Sequence, residues 1–451
     1  MTLFFYDLLQ PIAVFLFRVT VFFLRVAGSE RTAKLVQTLE IRKSNGRPAF
    51  ESIPIEKFHG KRPIWIHAAS GEFEYAKPIV RELHQQGIPV FVTYFSPTYQ
   101  RNVESFPGVT ASCALPLENR RELRSMISKV NPAALLIART DTWPNMVRES
   151  FYAKIPILLF SATFYEGSKR ISLLARSLTK ATYHYIDEIQ CVNKDDLRIL
   201  AEFGFRRSVV RGDTRYDQVL ARLDQTKGNV EKKLPETLKA SLRSLVLVAG
   251  SVWEEDVEAL IPAISLAKEA LEKNELTTVL VPHEISPRLI HFIQEKAGLH
   301  GLSTAVLSEL VNNPDRANGQ ESDLLIVDRV GILAELYLVG QLAFVGGSFR
   351  KTVHSVMEPL AAGCLTFVGP RHRNNREAIE FQTEKASQDF AAVLAANNSE
   401  DLSNKLLSTL KKFKILSASD RNAIRDRIQS QVRFRGGATD AVIEWINRVQ
   451  K

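Results

Sequence analysis

The sequence has few cysteines, and they are not arranged to build a structural site. Cys113, Cys191 and Cys364 are odd in number and far apart in a chain of 451 residues. This pattern excludes a disulfide framework and a cysteine-rich metal site, and it suits a reducing compartment. A hydrophobic content of 45% and a charged content of 24% are those of a globular protein, and the length predicts two domains.

Several motifs that would identify an enzyme class are also missing. No G-x-S-x-G occurs, which leaves a Ser-His-Asp hydrolase poorly supported. The histidines at 67, 283, 354 and 372 are scattered and lack paired carboxylates, so we expect no metal and no other cofactor. No basic stretch is interleaved with aromatic residues, so we expect no nucleic-acid partner.

The net charge of +9 belongs to the two ends of the chain. Residues 1–50 carry seven basic and three acidic side chains, and residues 411–451 carry ten basic and four acidic ones. The remaining 360 residues therefore sum to −1. Either both ends are solvated, slightly basic surfaces, or both are attracted to an anionic membrane surface or an anionic substrate.

The segment Leu3–Gly28 is strongly apolar but contains three charged residues. On a helix, Asp7, Arg18 and Arg25 fall within about 20° of one another, so they form one polar stripe. Pro11 would start or kink this helix. We expect a helix that lies in a membrane interface with the stripe toward water, because a central arginine disfavours a span. A true span and a plain core helix remain as alternatives, and a secretory signal is disfavoured because no basic region precedes the apolar run.

After this segment, short apolar runs alternate with helical patterns of 10–20 residues, which predicts βαβ units and parallel sheets. The predicted strands are 64–69, 89–95, 113–117, 133–138, 156–162 and 188–192, then 244–251, 277–283, 323–328, 342–348 and 365–370. The predicted helices are 74–86, 119–129, one from Glu254, 287–297, and two in 417–451 separated by Arg435-Gly436-Gly437.

The rhythm of strands and helices is interrupted at residues 218–240, which are poor in apolar side chains. We therefore predict an α/β protein with two Rossmann-like domains facing across a cleft. The expected division is a membrane-associated helix with its basic flank at 1–45, a first domain at 46–217, a linker at 218–240, a second domain at 241–430 and a terminal helix at 431–451.

In such folds, ligands bind beyond the carboxyl ends of the strands, so the loops there are the candidate sites. Gly346-Gly347-Ser348 follows a strand, and its backbone could approach a ligand closely and offer amides to an anion. A tight βα turn is the alternative.

Pro359 belongs in the first turn of a helix, which places Glu358 at the positive end of the helix dipole. Glu358 either stabilises that dipole or accepts hydrogen bonds from a diol such as a ribose, and we favour the diol.

Other strand-end loops supply further candidates. Glu72 follows the first strand directly after Ser70-Gly71 and could be a general base toward a sugar hydroxyl, or a helix cap. His283 and Glu284 could contact a nucleobase or a phosphate. The basic loop Arg371–Arg376 suits carboxylate or phosphate groups, with a solvated surface as the alternative, and it contributes Asn375 to the candidate substrate contacts.

Taken in order, these loops resemble the 3-deoxy-D-manno-octulosonic acid (Kdo) transferases, which are GT-B glycosyltransferases of lipid A assembly. The resemblance covers almost the whole chain. The segments that carry it are HAASGEFEYAKP (67–78), ARTDTWPN (138–145), RGDTRYD (211–217), AGSVWEEDVE (249–258), VPHE (281–284), LLIVDRVGILAELY (324–337), VGGSFRKTVHSVMEPLAAGCLTFVGP (345–370) and RGGATDAVIEWI (435–446).

This resemblance implies that Kdo passes from CMP-Kdo to a hydroxyl of a lipid A precursor with inversion, at the cytoplasmic face of a bacterial inner membrane. Glu72 matches the catalytic base, and the positions that stabilise departing charge fall near Asp141 and at Arg215. The resemblance implies no bound metal. The donor contacts carry over to Pro282, His283, Val330, Gly331, Ile332, Ser355, Val356, Met357 and Glu358, with Gly346, Gly347 and Ser348 beside them.

The sequence departs from the family pattern at three places. HAASGE has one residue fewer between the serine and Gly71-Glu72, Arg139 replaces an acid in R-T-D-T-W-P-N, and Arg215 stands where the family has a lysine. An arginine there can act as a fixed cation but not as a proton donor. An active enzyme is expected. The alternatives are a GT-B transferase with a UDP-sugar donor and a non-catalytic relative that binds a membrane surface.

Overall fold

A computed structural model of the chain describes residues 2–26, 33–44, 46–165, 172–271, 275–313 and 322–451. The end of the predicted apolar segment, from residue 27, lies outside the described residues, as does the side chain of Arg25. The chain divides into two compact units. Unit 1 consists of Met1–Gln218 and Arg435–Lys451, and unit 2 consists of Val219–Phe434.

Unit 1 is built on a seven-stranded parallel sheet whose first strand lies in its interior, next to the central strand. The strands are β3 (Ile64–His67), β4 (Val90–Tyr94), β5 (Ala111–Ala114), β6 (Ala134–Ala138), β7 (Ile157–Ala162), β8 (Glu188–Cys191) and β9 (Ser208–Val210). Their order is β5-β4-β3-β6-β7-β8-β9, so the direction of winding reverses between β3 and β6. Ligands of doubly wound folds bind at such a reversal. A separate hairpin joins β1 (Lys43–Ser44) and β2 (Arg47–Pro48).

Helices cover both faces of this sheet. They are Thr2–Val26, Ala33–Glu40, Phe73–Gln85, Gln100–Glu104, Arg120–Val130, Pro144–Tyr152, Leu173–Tyr183, Lys194–Glu202 and Ala438–Val449, with single 3-10 turns at Ala49–Ser52, Ile55–Phe58 and Pro97–Tyr99. Helix Thr214–Lys227 begins in unit 1 and ends in unit 2. The last helix buries Val442, Trp445 and Ile446 in the same apolar core as Ile64 and Ile66 of β3.

Unit 2 repeats the same plan with one rearrangement. Its strands are β10 (Leu245–Val252), β11 (Leu276–Pro282), β12 (Thr304–Val306), β13 (Leu324–Ile326), β14 (Leu342–Val345), β15 (Leu365–Val368) and β16 (Val393–Ala395). They are parallel in the order β12-β13-β11-β10-β14-β15-β16, and the winding reverses between β10 and β14. Its other helices are Val230–Lys233, Glu236–Ala240, Glu254–Ala270, Pro287–Leu299, Leu307–Asn312, Leu333–Val339, Met357–Ala362, Arg376–Thr383, Ser399–Lys414 and Ala418–Phe434.

The two Rossmann-like sheets confirm the predicted fold class, while some elements differ from expectation. The segment 218–240, expected as a linker, is mostly helical, and four of its apolar residues, Val219, Leu223, Leu234 and Leu238, are buried. The expected terminal segment 431–451 is shared, since Ala418–Phe434 belongs to unit 2 and Ala438–Val449 to unit 1.

Candidate functional site

Non-glycine residues with left-handed backbone conformations mark three strand ends. Arg139 follows β6 with φ 64°, Ser161 lies at the end of β7 with φ 50°, and Ser251 lies near the end of β10 with φ 55°. Side chains rarely adopt this conformation, and it costs free energy that the surrounding structure must supply. These three constrained positions lie at edges where ligands of this fold bind, while the other described non-glycine residues with positive φ, His59, Glu118, Asn131 and Lys154, lie elsewhere.

A chain of hydrogen bonds runs from the interior of unit 1 to the predicted charge-stabilising residue Asp141. The Trp65 indole donates to Thr93 Oγ1 over 2.9 Å, and that hydroxyl lies 2.9 Å from His67 Nδ1. His67 Nε2 lies 3.2 Å from Asp141 Oδ2, which also accepts a hydrogen bond from the indole of Trp143 over 3.1 Å. The arrangement in which Nε2 carries the proton gives Asp141 two N–H donors, and this stabilises its ionised form.

Two arginines lie against one tyrosine beside this network. The guanidinium of Arg139 is 4.9 Å from the centre of the Tyr75 ring and donates to the Tyr75 hydroxyl. Arg215 approaches the same ring at 5.8 Å, and its backbone amide donates to Asp213 over 2.9 Å. Arg139 stands where the family pattern has an acid, and its positive charge makes a favourable contact with the electron-rich face of Tyr75.

Glu72 immediately precedes the helix Phe73–Gln85 but does not cap it with its side chain. Its carboxylate oxygen Oε2 instead accepts hydrogen bonds from the amide and the hydroxyl of Ser70, at 3.0 and 3.2 Å. The helix-cap interpretation is therefore wrong. Oε1 of Glu72 makes no hydrogen bond to the described residues. One oxygen is held by the protein, and the other can accept a proton.

The predicted residues Glu72 and Arg215 share an electrostatic neighbour, Tyr99. Burial raises the pKa of the Tyr99 hydroxyl, Glu74 and Glu72 raise it further, and Arg215 lowers it. A Cβ on Gly71 would lie 3.3 Å from the same hydroxyl, so the glycine permits a close approach of the β3 and β4 loops. The structure therefore brings Glu72 and Arg215 into one neighbourhood of unit 1.

The N-terminal helix docks on unit 1 through its polar stripe. Asp7 accepts from Arg148 over 2.7 Å and from Arg120 over 3.4 Å. The expectation that this stripe faces water is wrong for Asp7, because the cations that compensate it lie on the protein. The helix continues through Pro11. The opposite face is apolar and exposed, with Phe4, Phe5, Leu8, Leu9, Ile12, Phe15, Leu16, Phe22 and Phe23.

Glu118 connects this helix to the loop that carries Asp141. Its carboxylate accepts from the Tyr6 hydroxyl over 2.7 Å and from the amides of Asn145 and Met146 over 2.8 and 3.2 Å. Burial raises the pKa of Glu118, and these three donors oppose the shift. Because Asn145 and Met146 begin the helix Pro144–Tyr152, Glu118 fixes the segment that follows Trp143.

In unit 2, the Gly-Gly-Ser loop is held by a buried aspartate. Asp256 accepts from the amides of Gly347, Phe349 and Trp253 over 2.6, 3.0 and 3.0 Å. Burial raises its pKa, and the three amides oppose this shift. The amides of Gly347 and Phe349 are thus engaged by Asp256, which differs from the expectation that they face an anion. A Cβ on Gly346 would lie 2.1 Å from the Ser251 carbonyl oxygen, so glycine is required where β10 and β14 end.

His283 lies in a cluster of aromatic rings beside this loop. It stacks on His354 with ring centres 4.4 Å apart, and it packs against Trp253 with centres 4.5 Å apart and planes tilted by 31°. The Trp253 indole donates to His354 Nε2 over 3.1 Å, and the guanidinium of Arg350 lies 3.9 Å from the Trp253 ring centre. Burial lowers the pKa of His354, and His283 lowers it further. The cluster offers flat ring surfaces next to the end of β11.

Glu358 is the second residue of the helix Met357–Ala362, so the first-turn position predicted from Pro359 is confirmed. Its carboxylate forms an ion pair of 2.5 Å with Arg222, a partner that sequence analysis missed. A diol that bound Glu358 would share or displace this cation. Nothing in the local sequence signals Arg222, which lies 136 residues earlier.

The remaining predicted donor residues lie at strand ends or helix starts of unit 2. Pro282 ends β11, and Val330 is 83% exposed beside Gly331, which has φ 88°. The other side chains are buried or form local hydrogen bonds. Ile332 and Val356 are buried. Ser348 donates to the Val345 carbonyl, and Ser355 accepts from the Met357 amide. Asn375 caps the helix Arg376–Thr383 and donates to the His354 carbonyl. Within the described residues, no group of three or more His, Cys, Asp or Glu side chains could hold a metal ion.

The sequence of this chain is similar to those of known proteins. Residues 37–218 match the sequence family described as 3-deoxy-D-manno-octulosonic-acid transferase (kdotransferase). The Kdo transferase of Aquifex aeolicus is 28% identical over 363 residues, which are 79% of this chain and 89% of that one. The Kdo transferase of Bordetella pertussis is 25% identical over 402 residues, 85% of this chain and 87% of that one. This chain is similar in sequence to the Kdo transferases over most of its length.

Solved structures with the same fold agree with the GT-B architecture. A glycosyltransferase from Rickettsia africae superimposes with a TM-score of 0.54 at 13% identity, covering 87% of this chain and 99% of that one. A UDP-GlcNAc 2-epimerase from Neisseria meningitidis superimposes with a TM-score of 0.58 at 13% identity, covering 86% and 100%. At these identities the likeness concerns the fold alone. Together with the sequence relatives, it indicates a glycosyltransferase of GT-B architecture.

Two segments that carry the Kdo transferase resemblance meet in the structure. Asp217 of RGDTRYD accepts from the Gly437 amide over 2.6 Å and from the amide and hydroxyl of Thr439 over 2.8 and 2.7 Å. Gly437 and Thr439 belong to the RGGATD segment, more than 200 residues later. This part of the shared pattern thus secures the start of the last helix.

Proposed function

We propose that this protein is an inverting glycosyltransferase that moves Kdo from CMP-Kdo to a hydroxyl of a lipid A precursor of the lipid IVA type. The observation that carries the proposal is the arrangement of Glu72, which has one carboxylate oxygen held by Ser70 and the other without a hydrogen bond to the described residues. The sequence relatives, which are named as Kdo transferases over most of this chain, support the reaction class.

In the proposed reaction, Glu72 Oε1 removes the proton from the acceptor hydroxyl. The acceptor oxygen forms a bond to the anomeric carbon of Kdo from the face opposite the nucleotide, and the bond from that carbon to the phosphate oxygen breaks. CMP leaves with the electron pair. A positioned base of this kind contributes about 10²–10⁴-fold to a rate.

Arg215 and Asp141 have complementary roles in this proposal. Arg215 remains protonated at any working pH, so it stabilises negative charge on the reacting phosphate as a fixed cation and transfers no proton. Asp141, which accepts from His67 and Trp143, stabilises the positive charge that develops on the Kdo ring.

Unit 2 supplies the donor contacts in this proposal. Glu358 accepts hydrogen bonds from the ribose hydroxyls, and the rings of His283 and Trp253 offer flat surfaces to the cytosine. The loop at Gly346–Ser348 permits close approach of the donor through its small residues. No step assigned to these residues requires a metal.

We further propose that the protein acts at the cytoplasmic face of an inner membrane. The N-terminal stretch Thr2–Phe23 is long and apolar enough to cross a bilayer. Asp7 is compensated by Arg148 and Arg120, while the apolar face is exposed, which supports a helix that lies on the body of unit 1 with its apolar face in the lipid.

The first prediction concerns the base. Glu72→Gln retains the size and the Ser70 contacts but cannot take a proton, so the rate of CMP release from CMP-Kdo with a lipid IVA acceptor should fall about 10²–10⁴-fold. Glu74→Gln, a change two residues away at an exposed carboxylate paired with Lys77, is the matched control and should retain activity.

The same proteins should bind CMP equally well, measured as the rise in melting temperature on adding CMP, because the substitution lies in unit 1. UDP and ADP should give smaller shifts. Unchanged turnover in Glu72→Gln would exclude the base assignment, and a larger shift with UDP would replace CMP-Kdo by a UDP-sugar.

A further inference from the structure

A cavity of about 430 Å³ lies between the N-terminal helix and the rest of unit 1. Arg18, Val21 and Phe22 of the N-terminal helix form one wall. The helix Ala33–Glu40 and the β1–β2 hairpin form others, and Leu117 contributes from the body. The volume is within the range of about 300–1,000 Å³ that is typical of small-molecule sites. The proposed function leaves this cavity unused.

The lining of the cavity is amphipathic. Val21, Phe22, Val36, Leu39 and Leu117 provide an apolar surface that continues onto the exposed apolar face of the N-terminal helix. An acyl chain that left a bilayer along this helix would therefore meet apolar side chains in the cavity.

Both cationic and acidic side chains line the same cavity, and the acidic ones are Glu40 and Glu122. Arg18 and Lys43 are exposed and line it, and neither forms an ion pair with a described residue. The third cation, Arg42, is buried and is committed to backbone carbonyl oxygens, including those of Leu115 and Phe95. Two lysine or arginine side chains next to an apolar surface suit an anionic amphiphile, whose phosphate they can pair with.

One wall of the cavity is linked to the candidate catalytic residue Asp141 through a chain of side-chain contacts. The guanidinium of Arg42 lies 4.3 Å from the centre of the Phe95 ring. Phe95 stacks on Trp143 with centres 4.9 Å apart and planes at 13°, and Trp143 donates to Asp141. Three successive side-chain contacts thus separate the cavity from the carboxylate that we place at the reacting sugar.

We propose that this cavity binds an acyl chain of the lipid acceptor, with Arg18 and Lys43 pairing with its phosphate. The inference rests on the proposed function and extends it to acceptor recognition. The acceptor is then held at both ends, by its chain in the cavity and by its sugar hydroxyl at Glu72. A transferase of this design selects acylated acceptors over their bare sugar headgroups.

The test compares two acceptors with variants that alter the cavity. Val36→Trp fills it and Leu39→Ala removes part of its wall, and both residues are only partly buried. Ile12→Trp is the matched control, since Ile12 is 53% exposed on the same N-terminal helix and does not line the cavity. The acceptors are acylated lipid IVA and its fully deacylated, phosphorylated disaccharide. The readouts are KM and kcat for each acceptor and the melting-temperature shift with CMP.

With the wild type, KM should be lower for the acylated acceptor. Val36→Trp and Leu39→Ala should each raise that KM about fivefold or more, leave kcat and the KM for the deacylated acceptor unchanged, and retain the CMP shift. Arg18→Gln should raise the KM for both phosphorylated acceptors. Equal KM values for both acceptors in Val36→Trp, Leu39→Ala and the wild type would overturn the proposal.

A wrong reaction and a wrong cavity assignment would give different experimental results. If the wild type transferred Kdo to neither acceptor, the reaction itself would be wrong, whatever the cavity holds. If Ile12→Trp raised the KM for the acylated acceptor as much as Val36→Trp does, the effect would belong to the membrane-facing surface and the cavity assignment would be excluded. Loss of the CMP shift in Val36→Trp would mark a misfolded variant, and Leu39→Ala then decides.

Discussion

Asp256 receives amide hydrogen bonds that a glycine-rich loop could have offered to a ligand. The contact joins residues 91 positions apart, so nothing in the loop itself indicates it. The W-E-E-D sequence that starts the helix at Glu254 is the only local signal, since an acid three residues after a helix start often bonds back to the chain. Residue-level roles of this kind depend on distant partners, and sequence analysis reached Gly346–Ser348 but not the group that holds them.

The residue scale also gives a pH prediction. Burial and His283 hold the pKa of His354 below its usual value of 6.5. The unfolded chain therefore binds this proton more readily than the folded one, so the stability of unit 2 should decline as the pH falls below 6.5. Urea unfolding of the protein from pH 8 to pH 5, followed by hydrogen exchange of unit 2 amides, measures the decline.

His354→Asn removes this titration, so its free energy of unfolding should depend less steeply on pH than that of the wild type. The two slopes should differ by less than about 1.4 kcal/mol per pH unit, which is the limit for one proton. His372→Asn is a suitable control, because His372 lies in the basic loop and bonds to the Gly369 carbonyl instead of stacking on the rings. An identical pH dependence in wild type and His354→Asn would contradict the role given to His354.

At the scale of elements, the central strands were predictable and the edge strands were not. β3, β4, β6, β7, β10 and β11 are buried on both faces and therefore appear in the sequence as continuous apolar runs. β9, β12 and β16 have only three residues each and are largely half-buried, so they carry no clear periodicity. The position of β13 between β11 and β12 also follows from packing over the whole unit and not from any local pattern.

The last helix gives a prediction at this scale. Asp217 receives three hydrogen bonds from Gly437 and Thr439, so Asp217→Ala leaves the two donors of the buried Thr439 unsatisfied and should destabilise the docked helix by about 1–3 kcal/mol. Hydrogen exchange should then show faster exchange of the Ala438–Val449 amides. Asp224→Ala on the same connecting helix is the control and should leave those amides protected.

If the Ala438–Val449 amides exchanged at the wild-type rate in Asp217→Ala, the hydrogen bonds would have no anchoring role. Trp445, Val442 and Ile446 would then hold the helix by apolar burial alone.

At the scale of the whole molecule, the two basic ends of the chain differ in the surroundings of their charged side chains. The C-terminal segment is divided between the units, and many of its charges are compensated there. Arg448 pairs with Glu188, Lys414 pairs with Glu275, and Arg425 donates to two backbone carbonyl oxygens. At the N-terminus, an exposed apolar helix face accompanies Arg18. Of the two interpretations of the charge distribution, solvated surface fits the C-terminal end and membrane attraction fits the N-terminal end.

This difference predicts where membrane binding resides. Leu8→Asp together with Leu16→Asp places charge on the exposed apolar face and should lower binding to anionic vesicles about tenfold or more. Lys411→Gln together with Arg427→Gln removes two C-terminal charges and should leave binding within about twofold. Vesicle pelleting measures both, and the reverse order of effects would place the membrane contact at the C-terminal segment.

The return of the last helix to unit 1 bears on how the protein is made. Val442, Ile443, Trp445 and Ile446 complete an apolar core whose other buried members precede residue 161, and unit 2 is synthesised between the two sets. Domains usually fold in the order in which the ribosome releases them. Here the first unit cannot close its core until unit 2 has been translated, although its apolar helix Thr2–Val26 is synthesised before unit 2. During synthesis, unit 1 is therefore an open intermediate that a nearby lipid surface or a chaperone can protect.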